Sequence, residues 1–387
     1  MDTNKLTEKF FQKFGNRDHK PVLFFSPGRV NLIGEHTDYN GGFVFPCALN
    51  YGTYLLARKT GDKTLKFSTL NFDEDMTAEL DGLFTNTGKK WINYPLGVIN
   101  EFLKKDTELT GLELMYYGDV PNGAGLSSSA SIEMVTAVAL NDFYLAGIGT
   151  MELVKMSQRA ENEFVGMNCG IMDQFAVAFG KRDHAIYLNC DTLDFENVPV
   201  RLDGYSLIIT NTNKRRGLTD SKYNERRAEC EKAVELLQAY KPVRNLSELT
   251  VEEIPVLNNY IKNPVVLRRA KHVISENGRV LEAVEVLKHN NIERFGELMN
   301  QSHDSLKDDY EVTGMELDTL VYEGRKLKGV IGTRMTGAGF GGCTVSLVKK
   351  EYVGEFIADL SAIYQKITGL VPDFYKPSIG DGAGRIS

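Results

Sequence analysis

The sequence predicts an α+β fold built from two domains. Strand and helix patterns alternate irregularly along the chain, whereas a parallel α/β array would alternate regularly. The length of 387 residues is ample for a buried core and favours two or three domains. The texture also changes between residues 180 and 200, where apolar segments give way to charged turns and charged amphipathic helices. The expected division is therefore 1–185 and 186–387.

The elements follow in order. Leu6, Phe10, Phe11 and Phe14 lie among Lys and Glu, the spacing of an amphipathic helix too charged for a signal peptide. Residues 23–26, 43–46, 54–58, 65–70 and 112–117 read as strands. Residues 91–103 have helical spacing, with apolar side chains at 92, 96, 99, 102 and 103. A long helix begins around Ser129 and runs towards Tyr144, and another spans roughly 151–164. Residues 171–179 are apolar apart from Asp173 and Gln174. Short strands are expected at 186–188 and 207–209, then a charged helix over 221–240 that Asp220 or Ser221 caps. Further helices reach about residue 326, and a last strand covers 343–348.

Charge and cysteine content narrow the function. A net charge of −7 gives no basic footprint for nucleic-acid phosphates. No run of about 18 apolar residues is present, so no membrane span is expected. Five scattered cysteines without a C-x-x-C pair suit a reducing compartment, and a cytoplasmic location is expected.

Residues 28–42, Gly-Arg-Val-Asn-Leu-Ile-Gly-Glu-His-Thr-Asp-Tyr-Asn-Gly-Gly, crowd Arg29, Glu35, His36 and Asp38 between glycines and inside an apolar frame. Such side chains are almost never fully buried unless paired. Their convergence reads as a grip on a small polar molecule. Residues 121–131, Pro-Asn-Gly-Ala-Gly-Leu-Ser-Ser-Ser-Ala-Ser, follow a strand pattern and open a helix pattern. Small residues let backbone N–H groups approach an anion, and a helix N-terminus adds free donors. The run is a phosphate cradle, with hydroxyls that can ligate magnesium, although it lacks the Walker A Lys. Gly337, Gly339 and Gly342 match G-x-G-x-x-G. They lead into a strand rather than a helix, so a dinucleotide site is rejected. A turn packed against the nucleotide loop is expected instead.

Asp173 is a lone carboxylate among apolar residues, which is costly unless paired or functional. It suits a general base or an anchor in phosphoryl transfer. Arg29 is the matching cation, because its planar fork can hold a carboxylate and a phosphoryl oxygen. Pattern alone does not separate Glu161 from Glu163. The remaining histidines lack ligand spacing.

In this order and spacing, the three segments resemble the three motifs of the GHMP small-molecule kinases, and His36-Thr37-Asp38-Tyr39-Asn40-Gly41-Gly42 resembles the galactokinase signature. The resemblance covers essentially the whole chain. It implies a two-domain GHMP kinase fold with the active site in the inter-domain cleft. It further implies ATP-dependent phosphorylation of α-D-galactose at its anomeric C1 hydroxyl, the first committed step of the Leloir pathway. By position, Asp173 and Arg29 would be catalytic. Glu35, His36, Thr37, Asp38, Gly170, Asp173 and Tyr223 would contact the sugar. Gly123, Ala124, Gly125, Leu126, Ser127, Ser128 and Ser129 would hold the ATP phosphates, and Ser68 and Trp91 the adenine. Ser129 and Glu161 would bind Mg2+, which settles the choice that pattern left open. The expected partners are galactose and MgATP, with no nucleic acid or membrane, and the chain is expected to be a monomer. The competing readings are an N-acetylgalactosamine or other GHMP kinase and a non-catalytic galactose sensor. Ser129-Ala130, Arg29 and Asp173 are all present, which disfavours the sensor.

Overall fold

The computed structural model describes residues 3–386 apart from 18, 89, 121–124 and 215–218. Its largest sheet has six strands, in the spatial order Gly384–Arg385, Val22–Asn31, Pro46–Lys59, Leu112–Gly118, Thr64–Thr69 and Met76–Glu79. Only Thr64–Thr69 and Leu112–Gly118 run parallel, and the helix Lys90–Leu103 connects them.

Side-chain alternation explains why both faces of this sheet are covered. Phe24, Leu55, Ala57, Leu114 and Tyr116 pack in one cluster with residues of the helices Lys90–Leu103, Ser128–Phe143, Thr150–Arg159 and Met172–Phe179. Their sequence neighbours Leu23, Leu56 and Met115 point the other way, onto Leu6 and Phe10 of the helix Thr3–Phe14. That period of two is the strand rule, and the amphipathic stripe of the first helix finds its partner there. A second sheet, Val330–Thr336, Cys343–Lys349, Tyr205–Asn211 and Asp373–Tyr375, is antiparallel throughout. It too is buried on both faces: Leu207, Ile209, Val345 and Leu347 join one cluster, and Ile208 and Val348 join another with Phe356, Leu360 and Tyr364.

The two halves share structure. Phe43–Val44 pairs with His184–Asn189, which pairs with Phe195–Pro199 in a third sheet. The expected division at 185/186 falls within the strand His184–Asn189. Val30, Leu32 and Phe45 of the first half pack with Leu207, Val280 and Cys343 of the second.

Several elements depart from the sequence expectation. The first strand runs to Asn31, with its register broken between Pro27 and Arg29, an irregularity of the kind that re-aims a side chain beside a site. Met76–Glu79, Phe195–Pro199 and Val330–Thr336 are additional strands. The helix expected over 151–164 divides into Thr150–Arg159 and the π-helical turn Ala160–Val165. Such turns are rare and occur frequently at functional sites.

Candidate active site

A cavity of about 290 Å3 opens where the two halves meet, and Arg29, Asp38, Glu161, Gly170, Asp173 and Tyr223 line it. Residues from the first motif, the third motif and the helix Thr219–Leu237 all reach it.

Arg29 and Asp173 form its centre. Arg29 Nε donates to Asp173 Oδ1 at 2.8 Å and Nη2 to Oδ2 at 2.9 Å, a bidentate pair. Arg29 Nη1 donates to the Gly125 carbonyl at 2.8 Å. Ser127 Oγ donates to Asp173 Oδ2 at 2.6 Å. The phosphate loop is therefore bonded to both members of the pair. The loop can approach because Gly28 has no side chain: a Cβ there would sit 2.7 Å from the Leu126 carbonyl oxygen. Gly125 and Ser127 have φ of 73° and 60°, and the helix Ser128–Phe143 starts directly afterwards, with first-turn N–H groups that have no partner within the helix. Gly337, in the third motif, faces the Gly125 carbonyl at 3.3 Å from its Cβ position. The glycine-rich turn thus packs on the nucleotide loop, as its context suggests. Gly123 and Ala124 lie outside the described residues.

Asp38 opens a short 3-10 turn, Asp38–Asn40. Burial, and next the negative charge of Asp173, push its carboxyl up to about 7. Gly170 closes the opposite wall so tightly that a Cβ would stand 2.0 Å from Asp38 Oδ2. Tyr223 meets Tyr39 edge-on, with ring centroids 5.0 Å apart, and lies 5.9 Å from the His36 ring.

Glu161 projects from the π-helical turn. Burial, then Asp173, raise its carboxyl to about 7, against the lowering influence of the nearby Ser129 hydroxyl. Gln174 Nε2 donates to Glu161 Oε2 at 2.6 Å and to Glu133 Oε2 at 3.0 Å. Glu161 and Ser129 present hard oxygen donors beside the phosphate loop, the chemistry that suits Mg2+. Among the described residues, no group of three or more His, Cys, Asp and Glu could hold a metal. A magnesium ion here would share its coordination with the phosphates, as Mg2+ usually does.

Not every expected residue converges. Thr37 Oγ1 donates to the Gly34 and Phe43 carbonyls at 2.8 and 2.7 Å, so it closes the loop and does not line the cavity. Glu35 reaches the cavity wall, but its Oε1 accepts from Thr336 Oγ1 and Gly337 N at 2.9 and 2.8 Å. Ser68 alternates with Phe67 and lies near Asp75, on the face that carries Leu70 and the first helix. Trp91 packs at 5.7 Å on Tyr116, on the opposite face. Ser128 is exposed at the helix start. Sequence reasoning missed Glu133, Gln174, Tyr39 and Cys169. For Glu133 the signal was present, as a lone carboxylate between Ile132 and Met134 on a buried helix.

Residues 8–59 match the galactokinase galactose-binding signature, residues 93–181 the GHMP kinases N terminal domain and residues 283–366 the GHMP kinases C terminal domain. A galactokinase of Clostridium acetobutylicum is 54% identical, covering 99% of each chain. One of Fusobacterium nucleatum is 54% identical over 94% of each. Lactococcus lactis galactokinase, solved in complex with galactose, superposes with a TM-score of 0.96 at 44% identity over 99% of both chains. A Methanococcus jannaschii mevalonate kinase shares the fold, with a TM-score of 0.69 at 18% identity over 94% of this chain and 100% of its own. With those motifs and these relatives, the chain belongs to the galactokinase family of GHMP kinases.

Proposed function

We propose that this chain transfers the γ-phosphoryl group of ATP to the anomeric C1 hydroxyl of α-D-galactose, giving α-D-galactose 1-phosphate and ADP. The observation that carries the reading is the Arg29–Asp173 pair, bonded to the phosphate loop through Gly125 and Ser127. It faces Asp38 across a cavity of sugar size. The galactokinases at 54% identity, and the relative solved with galactose, support the choice of sugar.

Each residue has a task in this reading. An ionised Asp38 accepts two hydrogen bonds from sugar hydroxyls, with Tyr223 covering the ring. Asp173 aligns the C1 hydroxyl and draws on its proton while the C1 oxygen bonds to the γ-phosphorus. The bond from that phosphorus to the bridging oxygen breaks, and its electron pair leaves with ADP. Arg29 fixes the orientation of Asp173 and places positive charge near the transferring group. Phosphoryl transfer depends mainly on such positioning and electrostatics. Gly125, Leu126 and the start of the helix Ser128–Phe143 receive the phosphates. Ser129 and Glu161 would hold Mg2+, which, when bound, neutralises phosphate charge. Residues 1–185 and 186–387 are proposed as the two functional halves that meet at the cavity. No described helix is long and apolar enough to cross a membrane.

The test is the product. Phosphorus NMR of the protein with MgATP and galactose is expected to show a sugar 1-phosphate with α configuration appearing with ADP. A phosphomonoester at C6, or ATP cleavage without a sugar phosphate, would reject the assignment.

A further inference from the structure

The sugar-facing loop is tied to the second half of the chain by hydrogen bonds that the proposed chemistry leaves unused. His36 Nδ1 lies 2.9 Å from the Tyr39 hydroxyl. The Tyr39 hydroxyl lies 2.8 Å from that of Tyr310, and the Tyr310 hydroxyl lies 3.1 Å from Cys230 Sγ. His36, Tyr310 and Cys230 are all buried. Tyr310 follows the helix Ile292–Asp308, and Cys230 stands in Thr219–Leu237. The His36 and Tyr310 rings lie 4.9 Å apart.

Burial, then the nearby His272, lower His36 to about 3, so its imidazole is neutral and has one donor and one acceptor nitrogen. Its Nδ1 faces the Tyr39 hydroxyl, and the Tyr39 and Tyr310 hydroxyls and the Cys230 thiol can each donate to one neighbour and accept from the other. Burial keeps these donors protonated: Cys230 is pushed up to about 12, and both tyrosines lie well above their ordinary value.

We propose that Tyr310 and Cys230 are positioning residues for sugar recognition, holding Asp38 in register through Tyr39 and His36. Asp38 lies between these two anchored rings. Asp173 and Glu35 both act against its charge, and His36 is held at a φ of 63°, a conformation disfavoured outside glycine. Without an external tie, the loop can relieve both by moving Asp38 away. The inference rests on the sugar-reading role assigned to Asp38.

Tyr310→Phe removes one hydroxyl and keeps the ring. The expected result is a galactose KM raised about tenfold, the scale of one buried hydrogen bond, with the ATP KM unchanged. Cys230→Ser, which keeps a donor, is expected to lose less than Cys230→Ala. Nitrogen-15 NMR should show the His36 Nδ1 resonance shifted by Tyr310→Phe, because its partner Tyr39 loses its own partner. An unchanged galactose KM in Tyr310→Phe, an equal rise in both KM values, or an unchanged His36 imidazole spectrum would overturn the proposal. The imidazole spectrum needs no turnover, so failure of the sugar assignment and failure of this chain are separate results.

Discussion

At Gly170 a single methyl group is too much. Its Cβ would stand 2.0 Å from Asp38 Oδ2, so Gly170→Ala must displace the carboxylate assigned to the sugar. We expect the galactose KM to rise at least about tenfold in steady-state kinetics, the cost of a small misplacement in a preorganised site, while the ATP KM stays near wild type. Asp38 also sets a pH dependence. Its carboxyl titrates near 7 in the free protein, and only the ionised form accepts two hydrogen bonds. Galactose affinity measured by calorimetry should therefore rise with pH from 6 to 8 and level off above, and a flat profile would remove Asp38 from sugar binding. Asp173→Asn keeps the shape of the side chain but loses its charge. Turnover should fall by about a thousandfold, within the range assigned to a positioned acid–base group, with galactose still bound.

At the scale of elements, the decisive contact joins the first strand to the phosphate loop. Arg29 N donates to the Leu126 carbonyl at 3.1 Å, and Gly28 leaves the space that this approach needs. Gly28→Ala places a carbon 2.7 Å from that carbonyl oxygen, and the loop must retreat. We expect the ATP KM to rise by about tenfold, from one misplaced phosphate contact, with galactose affinity less affected; the reverse pattern would contradict this coupling. Much of this scale was legible in the sequence. Leu23 and Phe24 alternate as a strand requires, and Leu6 and Phe10 mark a helix with one apolar face. Met76–Glu79 was not legible, because its residues are only partly covered and carry little apolar pattern. Nor was the π-helical turn at 160–165, since its apolar spacing resembles an ordinary helix. Ser68 and Trp91 were placed by family position, which says nothing of the face a strand residue takes.

Across the whole molecule, Glu35 joins what the sequence separates by three hundred residues. It accepts from Thr336 and Gly337, and Arg334 Nη2 lies 3.5 Å away in the buried interior. Glu35→Ala would leave that guanidinium without its carboxylate. Removing one partner of a buried pair costs about 3–5 kcal/mol, so urea denaturation should show a loss of that size. A loss below about 1 kcal/mol, the range of an exposed pair, would show that Glu35 is not a clamp. Sequence motifs identified Glu35 as part of the site but not which side of the cavity wall it serves. That depends on a strand, Val330–Thr336, whose Gly332 and Arg334 hid it. The central claim is that this cavity selects galactose for phosphoryl transfer from ATP. The most direct test is ADP release by the purified protein with MgATP, offered galactose, glucose, N-acetylgalactosamine or mevalonate in turn. The account predicts strong stimulation by galactose alone, lost in Asp173→Asn. Equal stimulation by another substrate, or galactose binding with no ADP release, would contradict it.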